Sequence, residues 1–129
     1  MQQQGNSTMK QDYNFKRGKN NIDMILLKIL CNGDFYGYQL SQMIKEFSGE
    51  MVSIPEGSLY PALYKLQDSG YISAEKRLVG KRQERIYYHI EPSGRNYLQT
   101  LMSDYEYLTT AIQNILSYQY TPQEEIKHE

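Results

Sequence analysis

Residues 57–90 read GSLYPALYKLQDSGYISAEKRLVGKRQERIYYHI. Leu59, Leu63 and Leu66 recur at helical spacing, and Gly70 closes that run. Two alternating stretches follow, Tyr71–Leu78 and Glu84–Ile90, joined by a turn that contains Gly80. Ile72, Ala74 and Leu78 share one face of the first. Ile86, Tyr88 and Ile90 share one face of the second, opposite Arg85, Tyr87 and His89. Two alternating runs about a glycine turn predict a β-hairpin. A helix followed at once by a hairpin with a basic tip is the order of a winged helix-turn-helix. In that fold one helix enters the DNA major groove and the wing meets the flanking backbone.

The helix is expected over residues 58–69, with Ser58 as its N-cap and the Ser58 hydroxyl accepting from the backbone of Tyr60. Pro61 then falls in the first turn, where its missing N–H costs little. The alternative, Ser53 as cap with Glu56 closing a capping box, sets Pro61 deeper in the helix. Stepping about 100° per residue from Tyr60 puts Tyr64, Asp68, Pro61 and Lys65 on one side and Leu59, Ala62, Leu63 and Leu66 on the other. The aliphatic side turns inward. The other side offers tyrosines for thymine methyls or backbone oxygens, and Lys65 for a phosphate. Ser58 and the helix N-terminus are expected to donate to another phosphate. Lys81 and Arg82 at the wing tip, with Arg85 behind them, suit the minor groove. The expected DNA-binding set is therefore Ser58, Tyr60, Pro61, Tyr64, Lys65, Lys81, Arg82 and Arg85, joined by Tyr38 at the start of the preceding helix. For Tyr60 and Tyr64, packing under the wing or at a dimer contact is the competing role.

Working outward, Ile22, Ile25, Leu26, Ile29 and Leu30 predict a first helix, ended by Asn32-Gly33-Asp34. A second starts near Tyr36 or Gly37, with Leu40, Met43, Ile44 and Phe47 as its buried stripe and Ser48-Gly49-Glu50 as its end. Met51–Ile54 is extended and a candidate short strand. After Pro92-Ser93-Gly94 a helix runs without a breaker to about Gln119, with Ser93 as the expected cap. Leu98, Leu101, Tyr105, Leu108, Ile112 and Ile115 follow a heptad seam. Some 25 residues would span roughly 38 Å, more than a small wing domain covers, which points to a partner helix. The expected organisation is a disordered tail over 1–15, a winged helix domain over 16–92, a dimerisation helix over 93–119 and a flexible acidic tail over 120–129.

Composition bounds the function. The 129 residues carry a net charge of −1, a single cysteine, Cys31, no tryptophan and 13 tyrosines. The charge is unevenly laid out. Lys10, Lys16, Arg17 and Lys19 stand against Asp12, and Lys76, Arg77, Lys81, Arg82 and Arg85 stand against Glu84. Two basic segments on an acidic body describe a localised phosphate-binding face. One cysteine and two separated histidines, His89 and His128, make a metal site or an intramolecular disulfide an unsuitable reading. No cofactor is expected. There is no Cys-His pair or phosphate loop, so an enzyme is not expected. The polar N-terminus and short apolar runs give no signal peptide or membrane span, and the expected location is cytoplasmic.

These residues resemble the PadR family of bacterial transcriptional regulators, in its short-tailed branch with one C-terminal helix. The resemblance covers residues 22–97 and continues in kind to about 118. It is carried in order by ILLKIL with Gly33, by Tyr36-Gly37-Tyr38-Gln39-Leu40, and by Gly57-Ser58-Leu59-Tyr60-Pro61-Ala62-Leu63. Leu66 and Gly70-Tyr71-Ile72 follow, and the run Arg85–Gly94 closes it. The family usually has threonine where Ser58 and Ser93 stand, and serine keeps the hydroxyl. The resemblance implies a homodimeric repressor on an inverted repeat, dimerised through the last helix with help from the first. Some short members hold flat aromatic or drug-like ligands between subunits, using tryptophans, so an aromatic effector is a candidate partner. Here Tyr97, Tyr105, Tyr107 and Met102 are the candidates to line such a pocket, with core packing the competing role of the aromatic stripe on the last helix. The alternative function is a winged-helix interaction module that has lost DNA binding, because fold alone does not dictate function.

Overall fold

The computed structural model describes residues 21–122. Four helices surround a small antiparallel sheet. In chain order they are α1 (Asn21–Leu30), β1 (Phe35–Tyr36), α2 (Gly37–Phe47), α3 (Glu56–Asp68), β2 (Ile72–Val79), β3 (Gln83–Ile90) and α4 (Pro92–Leu116). The sheet order is β1-β3-β2. This is the expected mainly α architecture with a hairpin wing and a long last helix. The expected tail over 1–15, the basic run from Lys10 to Lys19, and all but residues 120–122 of the expected tail over 120–129 lie outside the described residues.

The core is built where the periodicities meet. Leu26, Leu27 and Leu30 of α1, Leu40 of α2, and Leu59 and Leu63 of α3 are all but inaccessible to solvent. Ile72, Tyr88 and Ile90 close it from the sheet. Each leucine buried to this degree contributes about 1.5–3 kcal/mol, so α3 is held by its aliphatic side. That leaves the opposite side available.

Helix ends follow from backbone chemistry. At the end of α3 the Tyr71 N–H donates to Leu66 O and the Gly70 N–H to Gln67 O, both at 3.0 Å. This is a Schellman closure, and Gly70 at φ +82° supplies the left-handed residue that it requires. The chain then enters β2 without slack. Ser93 Oγ donates to Gly70 O at 2.8 Å and the Glu91 N–H to Tyr71 O at 2.9 Å. Tyr71 stacks on Tyr97 with ring centroids 4.2 Å apart. The base of the wing and the start of α4 are thus stitched to the end of α3.

Several sequence expectations change. The N-cap of α3 is Pro55, not Ser58 or Ser53. The Pro55 carbonyl accepts from both Ser58 and Leu59 at 2.9 Å, which starts the helix three residues earlier and sets Pro61 inside it. Ser93 is likewise not a cap: Glu91 is, and the Ser93 hydroxyl is spent on Gly70. Met51–Ile54 forms no strand; the third strand is Phe35–Tyr36, paired with Tyr88 and Tyr87. Phe47, read as buried, is 61% exposed because α2 outruns the core at that end. Leu78 and Ile86 are exposed for the same reason: the hairpin continues past the helices. Among the described residues no helix is long and apolar enough to cross a membrane.

Candidate nucleic-acid interface

The start of α2, the outer side of α3 and the edge of β3 meet at a cleft of about 270 Å³. It brings together four of the residues singled out from sequence, Tyr38, Tyr60, Tyr64 and Arg85. Tyr38 and Tyr64 are exposed. Tyr60 is not: it is half-buried and packs against the core, with its phenol against Gly37. A Cβ at Gly37 would overlap the Tyr60 ring and hydroxyl, so only glycine permits this approach of α2 to α3. Tyr60 therefore serves as packing, with its edge toward Tyr64 at 6.2 Å between centroids. Burial, and then Glu56 and Tyr64, push the Tyr60 hydroxyl above its ordinary value; burial does the same for Tyr88. Both keep their O–H proton at neutral pH.

Ser58 and Pro61 lie exposed on the first two turns of α3. The Ser58 N–H is already bonded to Pro55, and Glu56 occupies the first turn. That end of the helix offers an anion less than expected, and Ser58 has only its hydroxyl to give. Lys65 is exposed and feels Asp23 of α1. Burial raises the Asp23 pKa, and Lys65 opposes the rise.

Lys81 and Arg82 stand exposed in the turn between β2 and β3. Arg85 does not reach out beside them. Its guanidinium lies over the Tyr36 ring at 4.4 Å, and its Nε is buried without a partner. Arg85 is thus a wall of the cleft, and the tip charge is Lys81 and Arg82 alone.

The outer face of the sheet holds residues that sequence reasoning passed over. Tyr36 caps α2, its N–H donating to Gln39 Oε1 at 3.1 Å, and meets Tyr87 edge-on at 5.4 Å. Arg77 lies 4.6 Å over Tyr87 and donates to Asp34 Oδ2 at 2.8 Å; Asp34 Oδ1 pairs with His89 Nδ1 at 2.8 Å. Those two hydrogen bonds, His89 first, hold the Asp34 carboxyl below the usual carboxylate range. The alternation of β3 did put Arg85, Tyr87 and His89 on one face. The missing signal was β1, too short at two residues to show any period.

The heptad seam of α4 divides. Leu98 and Leu101 are buried in the chain's own core, so they hold α4 to the domain. Leu108 is half-buried, while Tyr105, Ile112 and Ile115 are exposed. Beside them α1, α2 and α4 enclose an apolar groove of about 510 Å³, walled by Met24, Ile25, Ile29, Phe47, Met102 and Tyr105. Tyr97 stacks on Tyr71 and Tyr107 lies farther along α4; neither lines that groove, whereas Tyr105 and Met102 do.

The model of the transcriptional regulator PadR-like family matches residues 26–100. The negative transcriptional regulator PadR of Bacillus subtilis is 32% identical over 73 residues, 57% of this chain and 40% of that protein. A transcriptional regulator from Clostridium thermocellum superposes with a TM-score of 0.69 at 33% identity, covering 78% of this chain and 96% of that one. Bacillus subtilis PadR in complex with operator DNA superposes with a TM-score of 0.56 at 26% identity, covering 84% of this chain and 53% of that one. The present chain thus spans about half, or less, of the length of that Bacillus protein. Its helix order, its wing and the span of the family match together make the chain a member of the PadR-like family of transcriptional regulators.

Proposed function

We propose that the protein is a cytoplasmic repressor that binds an inverted-repeat operator as a homodimer. The observation that carries this is the convergence of Tyr38, Tyr64 and Arg85 on one cleft beside α3, with Lys81 and Arg82 on the adjoining wing tip. Hydroxyl and guanidinium groups beside an exposed helix suit phosphate contacts that orient the helix for base reading. The Bacillus subtilis relative is a negative regulator, and its structure is a complex with operator DNA. The DNA-reading head corresponds to residues 16–92 and the dimerisation helix to 93–119. Two heads would be joined through Tyr105, Leu108, Ile112 and Ile115 together with the apolar groove on α1. An aromatic effector would sit between subunits against Tyr105 and Phe47, in a space of the size usual for small-molecule sites.

The test is selection of bound duplexes from a random DNA pool by the purified protein, repeated with aromatic ligands added. Enrichment of a two-fold symmetric sequence supports the reading. Failure to retain any duplex at low salt contradicts it and favours the interaction module.

A further inference from the structure

The register of the wing creates a charge conflict. Arg77 of β2 lies directly opposite Arg85 of β3, and like charges in that position destabilise a hairpin. The two guanidiniums diverge. Arg85 goes onto Tyr36 and Arg77 onto Tyr87, with the two rings edge-to-face between them. Arg77 then reaches Asp34, in the loop before β1, at 2.8 Å, and Glu75 at 3.2 Å. The other oxygen of Asp34 takes His89 at 2.8 Å. One carboxylate from outside the hairpin therefore grips both of its strands.

The hairpin needs that grip. Beyond Ala74 and Tyr88 its inward residues have nothing to pack on: Leu78 is 65% and Ile86 42% exposed. A two-stranded ribbon without a covered face is marginal by itself. Core packing does not decide the direction of the outer wing, and the contacts on the outer face are what remain. Asp34 is also the least exposed of its trio, with a side chain at 26% against 40% for Arg77 and 55% for His89.

We propose that Asp34 is a positioning residue for the wing: by holding β2 through Arg77 and β3 through His89 it sets where Lys81 and Arg82 meet the DNA backbone. The proposal rests on the DNA-binding reading above, and it makes a prediction of unusual sign. Asp34 is an anion near a phosphate-binding face. If charge alone mattered, Asp34→Asn would tighten binding. If Asp34 positions the wing, the same change loosens it.

The experiment uses the full chain and a duplex that the unaltered protein has selected. Asp34→Asn should weaken binding about tenfold and make the fall of log affinity with log salt shallower, because tip phosphate contacts are lost. Asp34→Glu, which keeps the carboxylate, should recover most of that loss. In the free protein, amide exchange over residues 77–86 should quicken in Asp34→Asn while α4 is unchanged. Equal or tighter binding by Asp34→Asn, with wing exchange unaltered, overturns the proposal. Should that variant fail to fold, His89→Gln opens only the β3 side, and unchanged exchange over 83–86 there overturns it equally. A loosened wing in a protein that binds no duplex at all would support the grip and count against the DNA reading beneath it.

Discussion

The cleft between α2, α3 and β3 and the groove between α1, α2 and α4 are both open surfaces of the same small domain, yet they are made of different chemistry. The cleft is lined by Tyr36, Tyr38, Tyr60, Tyr64 and Arg85; Tyr38 and Tyr64 are exposed, while Tyr60 packs on Gly37 and Arg85 on the Tyr36 ring. The groove is walled by Met24, Ile25, Ile29, Phe47 and Met102, with Lys28 and Glu106 at its margin. A surface of hydroxyls and a guanidinium suits a polar, wet partner such as a phosphate backbone. A surface of methionine and isoleucine suits an apolar one that excludes water. On the proposed reading, one face serves DNA and the other joins copies.

That division can be broken from either side. The largest effect is expected on the apolar side. Replacing Ile112 and Ile115 together by Glu should convert the dimer to a monomer in sedimentation. It should also weaken binding to a two-fold symmetric duplex by about 100-fold, because linked binding of two heads is lost. Neither residue lines the cleft or lies on the wing, so a single half-site should bind as before. Next comes the wing tip. Lys81→Ala with Arg82→Ala should lower affinity about tenfold for all sequences alike and reduce the salt dependence by about one to two phosphate contacts per head, leaving the dimer intact.

A third change acts through packing. Gly37→Ala forces a methyl into the Tyr60 ring and should cost about 1–3 kcal/mol in a denaturant melt. The damage should appear as tilting of α2 against α3, seen in binding, with α4 pairing preserved. The smallest effect belongs to Asp23, whose pKa burial raises. A raised carboxyl favours the folded state fully below its unfolded value, and that contribution is lost as pH rises through the folded value. Asp23→Asn should accordingly raise the melting temperature by about 2 °C at pH 7 and by nothing at pH 3. A gain at both pH values would mean that the charge of Asp23 is not what costs stability.

Much of this was legible in residues 57–90, because helical and strand periods are read directly from which positions are apolar. Leu59, Leu63 and Leu66 are buried as their spacing demands, and the hairpin has its expected strands. Periodicity states which residues share a face; it does not state how far a core extends along it. Leu78 and Ile86 continue the inward pattern beyond any helix, so they are exposed. Leu98 and Leu101 begin a seam that their own domain absorbs, leaving its later members free. Strand alternation sets Arg85 behind the tip as wing charge but is silent about rotamers, and the ring that captures it, Tyr36, lies 49 residues earlier on a strand of two residues.

On the proposed reading, the cleft and wing tip form one DNA-binding face. Its most direct test is the affinity of the purified protein for its selected duplex, measured across a series of salt concentrations. Binding should fall steeply and linearly in log–log form, with a slope equivalent to several phosphates per head that shrinks when Lys81 and Arg82 are replaced by Ala. Binding that ignores salt, or a slope untouched by that replacement, would contradict it.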